Sequence, residues 1–291
     1  MNVIDISHWQ SGISLDTIYK QNPTLDGVII KSTGGVSYKD PKFAEWAKWL
    51  TDNGKMWGFY HFLADNGNQA TGTAEADYFV NNSKDFFGKG WPFADYEYPA
   101  TYRGTKFLKE FLDRVLELTG IKCGVYCSLS VVQSQDFSAI EAAGYPLWLA
   151  QYPDNNPVYG FLDDPWQRGS YAPFKKYWLH QYTSHGHLNG WNGNLDFDKF
   201  YGSAAEWDSF AGKSDTPTEL KPADQVVVSA VLNNNYGAGQ ERVTKLTEAG
   251  YDAKSVQDKI NELYAIALSC KRYINGNEEY LNSIMKLVRL L

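Results

Sequence analysis

Over its first two hundred residues the chain alternates short apolar runs with amphipathic stretches, and no other feature constrains its fold so strongly. The runs are NVIDI (2–6), GVIIK (27–31), MWGFYHF (56–62), WPFADYE (91–97), IKCGVYC (121–127), PLWLAQY (146–152), YWLHQY (177–182) and NLDF (194–197). Their length and their β-branched and aromatic content read as strands. Helical patterns separate the early ones. DPKFAEWAKWLTDNG sets Phe43, Trp46, Ala47 and Leu50 at helical spacing and stops at Asn53-Gly54. TAEADYFVNNSKDFF repeats the pattern, and GTKFLKEFLDRVLELTG adds Thr105 as the expected cap and Gly120 as terminator. SLDTIYKQN and residues 129–143 are weaker helices. Such alternation predicts a parallel sheet of βαβ units. Eight strands predict closure into an α/β, TIM-like barrel with its site at the C-terminal strand ends. After about residue 144 the strands continue without convincing helices, so the last part of the barrel should be irregular.

The stretch GKSDTPTELKPAD is polar and aperiodic with two prolines, which marks a linker over 212–222 between a first domain, 1–211, and a second, 223–291. Beyond it aromatics thin out. QERVTKLTEAG, AKSVQDKINELYAIALSCKRYI and EEYLNSIMKLVRLL read as amphipathic helices of a small all-α module.

Charge and composition exclude several partners. The net charge is −7. Residues 213–291 carry ten basic and ten acidic side chains, so the whole excess lies in 1–212. Neither part suits a polyanion, which argues against nucleic acid. No apolar run is long enough for membrane insertion. The opening MNVIDISHWQ has neither a basic n-region nor an apolar h-region, so synthesis in a cytoplasm without a signal peptide is expected, with extracellular targets reached by another route. Of three cysteines, Cys123 and Cys127 would stand roughly 13 Å apart on one strand, too far for a disulfide. Aromatics make up 15% of the chain, with 10 Trp and 20 Tyr. Most should pack the core, but a surplus of Trp and Tyr also suits sugar rings, with their apolar face and polar rim.

The acids are harder to place in a buried sheet. Asp95 and Glu97 alternate in WPFADYE, so a strand would put both on one face, where unpaired carboxylates are costly. Asp5 ends the first run and Asp196 ends the last. First and last strands of a closed barrel are neighbours, so the four acids would converge on one pocket, repel one another and raise at least one pKa. A general acid stays protonated near neutrality in that way. Glycosidic cleavage needs such an acid and a second group to handle oxocarbenium-like charge. A divalent-metal site is the competing reading, but no known metal loop is present, and neither metal nor cofactor is expected.

With these motifs in view, residues 1–210 resemble the family 25 glycoside hydrolases, the muramidases (lysozymes) of bacteria and their phages. The matching pieces are DISHWQ, GVIIKSTGGVSYKDP, GFYHF, FADYE, GVYCS, LWLAQY, WLHQYTS and GNLDFDKF, in order along the domain. The resemblance implies a barrel of five βα units and three further strands. It also implies hydrolysis of the β-1,4 bond between N-acetylmuramic acid and N-acetylglucosamine in peptidoglycan. It assigns Glu97 as general acid, Asp95 as its companion at the substrate's acetamido group, and Asp5 and Asp196 as groups that shape and orient the pocket. Tyr60 would touch substrate, and Lys31, Tyr126, Trp148, Gln151 and Gln181 would line the groove. His61 is expected to be structural. Where the family often has an acidic residue before glycine, this chain has Gly34-Gly35, which removes one polar contact. The spacing of Asp95 and Glu97 allows retention or inversion; participation by the substrate's own N-acetyl group is the favoured route.

His180, in a strand, and His185 and His187, in a Gly-containing loop, form a loose group in HQYTSHGH without Cys or HExxH context, a weak zinc candidate. LNNNYGAGQERVTKLTEAGYDAKSVQDKINEL (232–263) resembles the helical cell-wall-binding repeat behind muramidase domains of some streptococcal phage lysins, through Gly237, Gly239, Arg242, Leu246, Ala249-Gly250-Tyr251, Val256-Gln257 and Ile260-Asn261. Arg242 and Tyr236 are the candidates for binding a muropeptide. Residues 264–291 read as a degenerate second copy, a dimerisation helix pair or cover for the first. The whole reads as a phage-type endolysin acting on Gram-positive peptidoglycan after release. Its rivals are a hydrolase of another N-acetylated polysaccharide such as chitin, and a catalytically silent peptidoglycan-binding protein.

Overall fold

The structure is a computed structural model that describes residues 1–213, 223–249 and 251–273, with side chains to residue 263 except at 240, 247 and 248. The expected linker from residue 214 on, the helix expected in EEYLNSIMKLVRLL, and the readings of the tail past Tyr273 lie outside the described residues. Backbone contacts divide the chain into two units, 1–214 and 215–291.

The first unit contains strands β1 (Asn2–Ile6), β2 (Gly27–Gly34), β3 (Tyr38–Lys39), β4 (Met56–Phe62), β5 (Trp91–Asp95), β6 (Gly124–Ser128), β7 (Leu147–Ala150), β8 (Val158–Tyr159), β9 (Tyr177–His187) and β10 (Leu195–Phe200). Eight of them close a barrel in the order β1-β2-β4-β5-β6-β7-β9-β10, with β10 pairing back to β1. The short β3 and β8 pair outside this ring with β2 and β9. Between the first six barrel strands lie α1 (Leu15–Gln21), α2 (Phe43–Asp52), α3 (Gly72–Ser83), α4 (Gly104–Thr119) and the pair α5 (Leu129–Ser134) and α6 (Ser138–Ala142). These make five βα units, followed by β7, β9 and β10 as three further strands.

Local chemistry accounts for the helix ends. Ser14 caps α1 by accepting from Thr17 N, and Gly120 ends α4 at φ 73°, a conformation that glycine adopts without strain. The expected cap at Thr105 is a correction. α4 starts one residue earlier, and the Thr105 hydroxyl donates to the Asp136 carbonyl. Among the described residues two α-helices have no counterpart in the sequence reading: Gln225–Leu232 in the second unit, and in the first α7 (Ala204–Phe210), opened by a capping box of Ser203 and Glu206.

The last strand runs against its neighbours. β10 is antiparallel to β9 and to β1, because residues 188–194 are too few for a crossover connection. Asp196 therefore lies at the start of its strand, not the end. Antiparallel travel still brings it to the rim where the parallel strands finish, directly opposite Asp5.

Alternation along the strands sorts side chains into two layers of core. Ile4, Ile6, Val28, Ile30, Phe59, Val125, Leu147 and Leu149 face outward and pack under the helices. Val3, Ile29, Trp91, Phe93, Trp148, Leu179 and Phe200 fill the barrel interior. Phe93 fits there because its neighbours on β4 and β6 are Gly58 and Gly124, where an added Cβ would meet the Phe93 ring at 2.7 and 2.4 Å. The bottom of the barrel is closed by α7. Trp207 is fully buried, edge-on to Trp91 and Phe200 at 5.1 and 5.0 Å between ring centroids, and its indole N–H donates to the Trp57 carbonyl at 3.0 Å. Trp207→Ala should therefore cost about 3–5 kcal/mol in urea unfolding, as large aromatic-to-alanine changes in cores do; a loss under 1 kcal/mol would show that the plug is not part of the core.

The second unit contains α8 (Gln225–Leu232), α9 (Gly239–Glu248) and α10 (Ala253–Tyr273). Val227, Val228, Val231, Leu246, Val256 and Ile260 form its core. Asp224 caps α8 through Val227 N, and its other oxygen accepts from the Tyr251 hydroxyl. Among the described residues no helix is long and apolar enough to cross a membrane.

Candidate active site

At the C-terminal rim of the barrel a cavity of about 230 Å³ is lined by Asp5, Tyr60, Asp95, Glu97, Tyr126, Trp148, Tyr152, Gln181 and Asp196. All four acids expected to converge do so, each carried by a different part of the ring. Asp95 is the last residue of β5, and Glu97 lies two residues past the strand, where Tyr96 N still donates to the Tyr126 carbonyl. The strand is thus shorter than WPFADYE, and Glu97 is not held on a strand face. It stands exposed at the mouth, whereas Asp5 and Asp95 are buried. A second, wider groove of about 620 Å³ adjoins. It shares Glu97, Tyr126 and Tyr152 with the acidic cavity and continues over Ser128, Gln133, Gln151 and Asp154.

Burial dominates the electrostatics. It pushes Asp5 up to about 6, against donation from Gln181 that favours the charged form. Burial, then the charges of Asp5 and Glu97, push Asp196 up to about 8. Asp95 lies well above the usual carboxylate range through burial and the neighbouring Glu97. Enclosure by protein atoms also raises Glu97, although its surface reaches solvent, and the Lys31 ammonium works in the opposite direction. Each added negative charge in this low-dielectric cluster makes the next ionisation harder, so the acids titrate as a group.

The expected groove residues divide by what they touch. Tyr60, Tyr126, Trp148 and Gln181 line the acidic cavity. Gln181 is buried and oriented at both ends: Tyr126 Oη donates to its Oε1 at 2.7 Å, Tyr152 Oη donates to the same atom, and its Nε2 donates to Asp5 Oδ2 at 2.6 Å. Gln151 lines the wider groove, but its amide is engaged with the backbone of Arg168, donating to the carbonyl at 2.8 Å and accepting from the N–H at 3.0 Å. Its role is to hold the loop after β7. Lys31 lines neither cavity. Its ammonium sits over the rings of Phe62, Tyr38 and Tyr60, at 4.5, 5.2 and 6.0 Å, and reaches the acids through its field.

His61 faces away from the acids. Fully buried, its Nδ1 meets Thr33 Oγ1 at 2.8 Å and its Nε2 meets Glu75 Oε2 at 3.1 Å, tying β2, β4 and α3 together. The three histidines of HQYTSHGH all lie on β9, so the loop expected around His185 and His187 is strand instead. His180 meets the Gln151 carbonyl, His185 meets Ser184 Oγ, and His187 stacks on Tyr159. Cys123 and Cys127 are buried free thiols.

Two residues of this site escaped the sequence reading. Tyr152 closes the motif LWLAQY, and an aromatic after a strand reads first as core. Asp198 lies two residues beyond Asp196 in LDFD, on the same inward face and one layer deeper. It is completely buried, and its Oδ1 accepts from Trp148 Nε1 at 2.7 Å.

In the second unit, Arg242 is engaged within the fold. Its Nε donates to the Gly237 carbonyl at 2.9 Å and its Nη1 to Gln257 Oε1 at 3.3 Å, bracing the turn ahead of α9. Tyr236 is half-buried against the module core.

This geometry agrees with what the chain is similar to. The family model described as glycosyl hydrolases family 25 matches residues 4–191, and the CW_7 repeat matches residues 224–264. The first match ends short of β10, so the placement of Asp196 and Asp198 rests on geometry. Lysozyme M1 of Streptomyces globisporus is 28% identical over 222 residues, 69% of this chain and 68% of that protein. The lysozyme of Streptococcus phage Cp-7 is 27% identical over 267 residues, 89% of this chain and 69% of that one. Among solved structures, the bacterial lysozyme from Streptomyces coelicolor superposes with a TM-score of 0.59 and 26% identity, covering 74% of this chain and 98% of that one. A closed barrel with an acid cluster at its C-terminal rim, matched over most of its length, identifies the chain as a glycoside hydrolase that belongs to glycosyl hydrolases family 25.

Proposed function

We propose that this chain is an endolysin that cleaves the β-1,4 bond between N-acetylmuramic acid and N-acetylglucosamine of peptidoglycan, with Glu97 as general acid and then base. The observation that carries this reading is the position of Glu97 at the boundary of two spaces. A glycan lying along the wider groove with one ring in the acidic cavity brings the linking oxygen to Glu97. The raised pKa of Glu97 keeps a proton available for that oxygen. Bond breaking leaves positive charge on the ring inside a cavity walled by Asp5, Asp95 and Asp196, where the charge of Asp5, the acid raised only to about 6, stabilises it. Asp95 is buried with its Oδ1 unpartnered, suited to steady an acetamido N–H while that group assists departure. The lysozyme names of the similar proteins support the same substrate. Reducing-end analysis of digested Gram-positive walls should find new muramic acid ends; new glucosamine ends, or digestion of chitin in preference, would overturn the assignment.

The CW_7 match supports a wall-binding role for the second unit. Tethering a binding module to an enzyme raises the local enzyme concentration at the wall. Ending the chain after Lys213 should weaken sedimentation with intact walls by tenfold or more while sparing hydrolysis of soluble fragments; unchanged sedimentation would refute the role.

A further inference from the structure

The mechanism above leaves unused a carboxyl directly beneath the acidic cavity. Asp198 projects into the barrel beneath the acidic cavity, fully buried between β1, β7 and β9. Its Oδ1 takes the Trp148 indole N–H, while its Oδ2 is buried without any hydrogen-bond partner of good geometry. In the barrel register Asp198 lies opposite Gln181 on β9 and Val3 on β1, while Asp196 lies opposite Asp5. Asp198 and Asp5 are thus diagonal neighbours on one interior face. The titratable groups that influence it or feel its charge are Asp5 from β1, Asp196 from its own strand, Tyr152 from beyond β7 and Tyr182 from β9. None of these is a cation.

A carboxylate in that position would be a buried charge with an empty lone-pair site, which is costly. A carboxylic acid there has a proton to give, and Asp5 is the acceptor within reach. We propose that Asp198 is a neutral carboxylic acid whose O–H is directed at Asp5, so that Asp5 receives two donors, Gln181 Nε2 and Asp198 Oδ2, and carries the negative charge of the cavity. The proposal rests on the hydrolase reading only in making Asp5 a useful charge; the proton itself is independent of it. The order of titration agrees: burial holds Asp198 well above the usual range, whereas Asp5, also raised by burial, is held back by hydrogen bonds from Gln181 and Asp198 and reaches only about 6. Asp198 is then a positioning residue, acting on substrate only through Asp5.

The test separates a neutral acid from a charge. Asp198→Asn keeps a neutral N–H donor toward Asp5 and an oxygen for Trp148, so the acid limb of the kcat/KM–pH profile on soluble peptidoglycan fragments should stay where it is. Asp198→Val removes the donor, and the acid limb should move up by about one to two pH units, the worth of one hydrogen bond to a charged group. If Asn moves the limb down, Asp198 was charged; if Val leaves it unmoved, Asp5 does not receive its proton. Either result overturns the proposal. Infrared difference spectra of the full chain at pH 7 cover the case in which Val fails to fold or no hydrolysis is found. The C=O stretch of a protonated carboxyl in the wild type should be missing from Asp198→Asn, and an identical band in both would refute the neutral acid whatever the substrate is.

Discussion

Glu97→Gln lowers kcat on purified Gram-positive walls by about 10²–10⁴-fold, the usual contribution of a positioned general acid. The change is nearly isosteric and falls on an exposed residue beyond the end of β5, so folding and wall sedimentation should be unchanged. The glutamine cannot protonate a leaving oxygen, and nothing around the cavity takes over. Asp95 and Asp5 are buried below the rim, and Lys31 is occupied over aromatic rings outside it. A turbidity assay of the two proteins at matched concentration reads the loss directly. Activity within tenfold of wild type would remove Glu97 from the mechanism and return the chain to the class of wall binders or to a different acid.

Asp196→Asn should make the first unit more stable, and increasingly so as pH rises. The sign follows from proton counting. Asp196 titrates near 8 in the folded chain against 3.8 for an ordinary aspartate, so between those values the folded state holds a proton that the unfolded state has released. Stability then falls with rising pH across this window and is unaffected below it. Asparagine removes the penalty, giving no gain near pH 4 and about 2–5 kcal/mol at pH 8, reduced from the full linkage value because Asp5 and Glu97 share the repulsion. Urea unfolding at pH 4, 6 and 8 would show it as a widening gap between the two proteins; a gap that closes with rising pH would mean Asp196 is ionised and well solvated.

Much of this architecture is readable in the chain because the barrel's two surfaces differ in chemistry. Ile4, Ile6, Val28 and Ile30 alternate with Asp5 and Ile29, a pattern only a strand between two cores requires. Acids among such residues conflict with burial, and that conflict located the rim. Strand direction leaves no comparable trace: LDFDKF has the same period whichever way it runs, and only the short connection from β9 determines that it is antiparallel. The two-residue overestimate of β5 arose because Tyr96 is buried like a strand residue while already in the turn. Asp198 falls one residue past the run NLDF, so nothing in the apolar pattern places it on the sheet. Lys31 and Gln151 were found by motif, yet their partners are rings and backbone that no spacing reveals. Helix α7 has a single core residue in seven, too few for any periodicity to register.

That helix also sets where the protein can be cut and rejoined. Trp207 belongs in sequence to the approach to the linker, but in space it is the stopper of the barrel. A chimaera that keeps this hydrolase and exchanges its wall-binding module must take its junction after Ala211. A boundary chosen at the end of β10, where the last barrel strand finishes, would deliver an open-bottomed barrel whose acids are intact and whose floor is missing.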